Sequence, residues 1–101
     1  MVFKIIITHK ALIDTVNGIE WYDKQAKGLG KRFYLGIQKA YKTIRKNPYF
    51  QIRYEGVRCL PLEKFPYMIH YIVEEKEKRI VVLGIISSYR DTKTWNKRTN
   101  W

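Results

Sequence analysis

The sequence predicts an α+β domain: a two-helix hairpin packed on a small, mainly antiparallel sheet, in the order β-α-α-β-β-β with a short C-terminal helix or tail. Three observations carry that reading. A β-branched run precedes a long stretch with helical spacing, the glycines of Gly28-Leu29-Gly30 divide that stretch in two, and beyond Asn47-Pro48 the apolar residues take up the period of strands. The 101 residues make one domain, 1–101, and at 46% hydrophobic they are too apolar for a disordered basic tail.

Phe3 to Thr8, with three consecutive isoleucines, reads as the first strand. Thr8 is placed to cap a helix through about Ala26, in which Leu12, Val16, Ile19, Tyr22 and Ala26 recur at steps of three or four and make one apolar stripe. The second helix runs from about Leu29 to Lys46 and stops at Asn47, because a residue before proline avoids the helical region. Leu29, Phe33, Ile37, Ala40 and Ile44 fall on one side of it. Lys31, Arg32, Lys39, Lys42, Arg45 and Lys46 fall on the other, with Leu35 among them as an exposed apolar residue.

Val57 to Glu63 is the next strand, and Pro61 within it calls for an edge position or a bulge. Tyr67 to Glu74 follows, then a polar connection, then Arg79 to Ile86, whose nearly continuous apolar run suits burial on both faces. The short last helix or tail begins near Asp91 and contains Trp95.

Charge is the unusual quantity. Twenty Lys and Arg against nine Asp and Glu give a net +11, a field that favours polyanions: nucleic acid, an acidic protein or an anionic membrane. Residues 28–58 hold eight basic and one acidic residue and residues 80–101 hold four and one, so ten of the eleven excess charges lie in those two stretches. Lys42, Arg45, Lys46 and Arg53 are the candidate contacts to a nucleic acid or other target. Arg53, Arg58 and Arg90, near Tyr54, Tyr67 and Tyr89, pair planar donors with aromatic faces, a combination that binds phosphates and stacks bases. A structural ion pair, such as Arg58 with Glu55, is the competing use.

The longest apolar run, Ile80 to Ile86, is seven residues, where a membrane span takes about 20. The first residues carry no signal peptide pattern, so a cytoplasmic protein with no membrane contact is expected. Cys59, the single cysteine, cannot form an internal disulfide and reads as a small buried hydrophobe. His9 and His70 are far apart, and no Cys or carboxylate cluster has ligand spacing, so neither a metal nor a cofactor is expected. Gly28-Leu29-Gly30-Lys31 lacks the spacing of a phosphate loop.

Trp21-Tyr22, Gln25, Gly28-Leu29-Gly30, Phe33, Ile44 and Asn47-Pro48, followed by Tyr54 to Arg58, Phe65 to Tyr71, the Ile80–Ile86 strand, Arg90-Asp91 and Trp95, together resemble the RelE/ParE toxin superfamily. The likeness runs from Ala11 to Trp95, and the chain is similar to sequences of plasmid-stabilisation type. The resemblance implies the β-α-α-β-β-β fold and the toxin half of a type II toxin–antitoxin pair, which inhibits growth by ribosome-dependent mRNA cleavage or by poisoning DNA gyrase. It implies a small acidic antitoxin as partner, and autorepression in which operator DNA is held only through the antitoxin. For the branch that cuts mRNA without a metal, the resemblance points to Arg58 and Arg90 as cations on the phosphate and Tyr89 as the acid–base group. Where members with ribonuclease activity carry an arginine and a histidine, this chain carries Met68 and Ser87. An inactive toxin homologue and a basic RNA-binding module are the alternatives.

Overall fold

The computed structural model describes residues 3–89, so the expectations placed on Arg90, Asp91 and Trp95 lie outside the described residues. The elements follow in the order β1 (Lys4–Ile7), α1 (His9–Gln25), α2 (Leu29–Lys46), β2 (Ile52–Tyr54), β3 (Val57–Pro61), β4 (Tyr67–Glu74) and β5 (Arg79–Ser87). This is the α+β class the sequence predicts, with one strand added. β2 is three residues long, too short to display a period.

The five strands stand in the order β1-β5-β4-β3-β2. β1 runs parallel to β5, and the remaining pairs are antiparallel. β5 therefore has neighbours on both sides, and its residues Ile80 to Ile86 are buried, as their continuous apolar run requires. Pro61 closes β3 beyond the reach of β2, whose pairing with β3 involves only Val57 and Arg58. That stretch of β3 is an edge, so the missing proline N–H interrupts no ladder on that side.

The caps fall where the sequence places them. The Thr8 hydroxyl accepts from the Ala11 N–H at 3.3 Å and donates to the Val82 carbonyl at 2.8 Å, so the residue that starts α1 also ties it to β5. Gly28 starts α2 in the left-handed conformation (φ 84°) and has no side chain to cap it. Asp23 on α1 serves instead, its carboxylate accepting from the Gly30 N–H at 2.8 Å.

The face that α1 turns to the core keeps only part of the stripe that its periodicity indicates, Tyr22 being buried and Ile19 packed on the core. Leu12 and Val16 are 51% and 52% exposed, whereas Ala11, Gly18 and Tyr22 are buried. The reason is the closeness of the two helices. A Cβ on Gly18 would overlap the Phe33 ring, and one on Gly30 would lie 2.5 Å from the Ile19 carbonyl oxygen. At those two points only glycine fits, so part of the inward face of α1 is small rather than strongly apolar. α2 packs as its spacing predicts: Phe33, Ile37 and Ile44 are fully buried and Leu35 is exposed.

Phe33 centres an aromatic cluster, with ring centroids 5.1 Å from Tyr22, 5.3 Å from Phe65 and 5.0 Å from Tyr67. The opposite face of the sheet carries Val57, Cys59, Met68, Val81 and Leu83, also buried.

Gly30→Ala is expected to lower stability by about 1–3 kcal/mol through overpacking. Gly36→Ala, whose Cβ would meet the Phe65 ring at an ordinary 3.9 Å, is expected to raise it by roughly 0.5–1 kcal/mol through helix propensity. Urea unfolding of the two variants checks the pair, and equal effects would contradict the close helix contact.

Candidate functional site

The last turns of α2, the connection 47–51 and β2 form one end of the molecule, and the candidate contacts Lys42, Arg45, Lys46 and Arg53 all lie there, exposed. Arg45 and Lys46 stand at the negative end of the α2 dipole, which they complement. The connection is anchored from the sheet. Tyr71, fully buried, donates its hydroxyl proton to the Pro48 carbonyl at 2.8 Å, and Arg58 donates from Nη1 to the Phe50 carbonyl at 2.7 Å. The Arg58 guanidinium also lies 5.4 Å from the centroid of the Tyr49 ring, and the Tyr49 hydroxyl donates to Glu75 at 3.0 Å. A half-exposed tyrosine thus sits among the cations of this end, held from both sides.

Arg58 is committed to that anchoring rather than to an ion pair with Glu55. Register also separates it from Tyr89. Arg58 pairs with Tyr71 on β4, whereas Ser87, two residues before Tyr89, pairs with Tyr67. Four residues of strand and two strand spacings lie between Arg58 and Ser87, roughly 13 Å along the sheet and 10 Å across it, and Tyr89 lies further on still. The structure does not bring Arg58 and Tyr89 together, and Arg90 lies outside the described residues. Tyr89 itself is 86% exposed. With Asn17, Trp21, Tyr67 and Ser87 it lines a hollow of about 470 Å³ between α1 and the ends of β4 and β5.

Three side chains meet on the second face of the sheet. The Tyr54 hydroxyl lies 2.9 Å from Nδ1 of His70, and the Cys59 sulfur lies 3.5 Å from the same nitrogen. His70 is fully buried in mid-strand. Burial pushes the Cys59 thiol up to about 11, with the charge of Arg53 opposing the rise, so the nucleophilic thiolate is suppressed at neutral pH. Among the described residues no group of three His, Cys, Asp or Glu side chains is placed to hold a metal ion, and no helix is long and apolar enough to cross a membrane.

A larger groove, about 690 Å³, runs between α2 and the end of β3 with the connection that follows it. Sequence reasoning passed over it because its walls come from separate segments. Its one sequence signal is Leu35, the apolar residue stranded on the basic side of α2.

No family model matches the sequence, and no curated protein matches it. Solved structures do. A chromosomal ParDE toxin–antitoxin system from P. aeruginosa contains a chain similar to this one with a TM-score of 0.65 at 20% identity, over 85% of this chain and 96% of that one. The RelBE2 toxin–antitoxin complex from Mycobacterium tuberculosis contains another, with a TM-score of 0.59 at 13% identity, over 86% of this chain and 99% of that one. The chain shares its fold with a chain of each of these two toxin–antitoxin structures. At such identities the scaffold is what is shared.

Because the Cys59 thiol is raised, the unfolded chain releases that proton first as pH rises. The contribution to stability is whole below pH 9 and is lost as pH climbs through about 11, and Tyr71, raised to about 12 by burial, adds to the loss from pH 10 upward. The urea midpoint is expected to fall between pH 9 and 11, less steeply in Cys59→Ala. Iodoacetamide at pH 8 should leave the native thiol unmodified and alkylate it in urea. Alkylation of the native protein at the unfolded rate would contradict its burial.

Proposed function

We propose that this chain is the toxin of a type II toxin–antitoxin pair, which arrests growth when made alone and is neutralised by a small acidic antitoxin. The observation that carries the reading is the fold likeness over 85% and 86% of the chain to two proteins whose structures are toxin–antitoxin systems. The net charge of +11 supports a polyanionic target, either the ribosome with its mRNA or the DNA-bound gyrase. Lys42, Arg45, Lys46 and Arg53 are the contacts to that target. With its antitoxin the chain acts in autorepression, the antitoxin holding the operator DNA.

Inhibition by contact is better supported than cleavage by Arg58, Tyr89 and Arg90 acting together. Arg58 holds the Phe50 carbonyl and lies at the other end of the sheet from Tyr89. An RNA-binding module that stacks bases on its sheet gains little support from the second face, where Val57, Met68, Val81 and Leu83 are apolar and buried, the His70 ring is buried and the half-buried Tyr54 is bonded to it.

Induction of the gene alone should stop growth. Changing Lys42, Arg45 and Lys46 together to Gln should relieve the arrest with little change in melting temperature, while Tyr89→Phe should leave it in place. Relief by Tyr89→Phe, with new mRNA ends by primer extension, would establish the cleaving branch; loss of gyrase supercoiling without new ends would establish the other. Normal growth with the wild-type protein folded would overturn the toxin reading in favour of an inactive homologue.

A further inference from the structure

The hollow between α1 and the ends of β4 and β5 runs against the charge of the chain. Asp14, Asn17 and Trp21 supply its α1 wall, at steps of three and four and hence on one side of the helix. Tyr67 and Tyr89 stand on the strand side. Among the described residues no Lys or Arg lines it, although the chain carries twenty. Trp21 is 54% exposed and Tyr89 86%, so burial in the core does not account for either ring.

The rings stand as walls. Trp21 meets Tyr22 at 5.0 Å with their planes at 90°, and Tyr22 meets Tyr67 at 6.1 Å and 62°. Rings at such angles enclose a corner in which a cation meets more than one π face. A nucleobase fits less well. It stacks on parallel faces, and its phosphate would find the Asp14 carboxylate here where it needs a cation. Hydrogen-bond acceptors select among cations. Asp14 accepts from the Ile85 N–H at 3.0 Å, and because a carboxylate accepts several hydrogen bonds at once it serves a ligand as well. Asn17, one turn on, adds an amide oxygen. A quaternary ammonium has no N–H for these groups, whereas a guanidinium stacks on a ring through its plane and donates from its rim.

We propose that this hollow is a binding site for a guanidinium group, either an arginine side chain of a partner protein or free arginine. It lies at the end of the sheet away from Arg58 and the exposed cations of α2, and the proposal does not depend on the toxin reading.

The test is titration of the isotope-labelled, folded protein with Nα-acetylarginine amide, followed at the indole N–H resonance of Trp21, which is identified by its absence from Trp21→Phe. That resonance should shift to saturation. Nα-acetylcitrulline amide, the uncharged analogue, and tetramethylammonium, which has no N–H, should each bind about tenfold or more weakly. Asp14→Asn and Tyr89→Ala should each weaken binding of the arginine amide roughly threefold or more. Circular dichroism confirms that both variants remain folded, and Tyr89, at an exposed position, keeps the test valid should Asp14→Asn unfold. Tighter binding of free arginine than of the amide supports the free amino acid as the source, and the reverse supports a side chain of a partner. No saturable shift, equal binding of either analogue, no effect of Tyr89→Ala, or a tighter response to adenosine monophosphate would overturn the proposal.

Discussion

The seating of the Phe33 ring on the bare backbone of Gly18 is the contact on which the rest of the structure depends. It sets the distance between α1 and α2, and that distance places Phe33 within 5.1 Å of Tyr22, 5.3 Å of Phe65 and 5.0 Å of Tyr67. Those three rings belong to α1, the β3–β4 connection and β4, so one close approach ties the hairpin to the sheet. Asp23 reinforces it by holding the first turn of α2 against α1. Phe65 has a second side. The ring that packs on Phe33 also lies beside Gly36 and lines the groove, so the hydrophobic core and the groove share a wall.

The cations of α2 do little for that core. Lys31, Lys42, Arg45 and Lys46 are exposed, and an exposed charge contributes about 0–1 kcal/mol to stability even when paired. Arg45 and Lys46 gain somewhat more from the helix dipole. A run of like charges that folding does not require is best explained by what it attracts. Arg58 is the exception among the arginines of this end, because its hydrogen bond to Phe50 and its place over Tyr49 fix the connection between α2 and β2. Its charge therefore supports the surface that the neighbouring cations present.

How much of this was legible in the sequence follows from what each feature depends on. α2 was legible in full, because its apolar period, its glycine start and its proline stop are local. The inward face of α1 was legible only in part, at Ile19 and Tyr22. A helix that must come close to another buries glycine and alanine, and the more apolar Leu12 and Val16 then point outward, against the hydrophobic period. β2 was missed because three residues hold no pattern, while Pro61, read as calling for an edge position or a bulge, stands on the stretch of β3 that β2 does not pair. The cationic end was legible as charge density, since Lys42 to Arg53 are neighbours along the chain. The separation of Arg58 from Tyr89 was not, because it depends on strand register, and register is decided by pairing across the sheet rather than by either residue's surroundings.

The groove and the cationic end are joined by electrostatics as well as by α2 itself. Lys39, at the lip of the groove, and Lys46, in the last turn, are seven residues apart on one helix, about 10 Å. That is close to the screening length of roughly 8–10 Å in physiological salt. The ion pair that Lys39 makes with Glu63 at 3.1 Å therefore lowers the potential over the cationic end without touching it. Charge on one flank of α2 is felt on the other, so the field that a polyanion meets there belongs to the helix as a whole and not to Lys42, Arg45 and Lys46 alone.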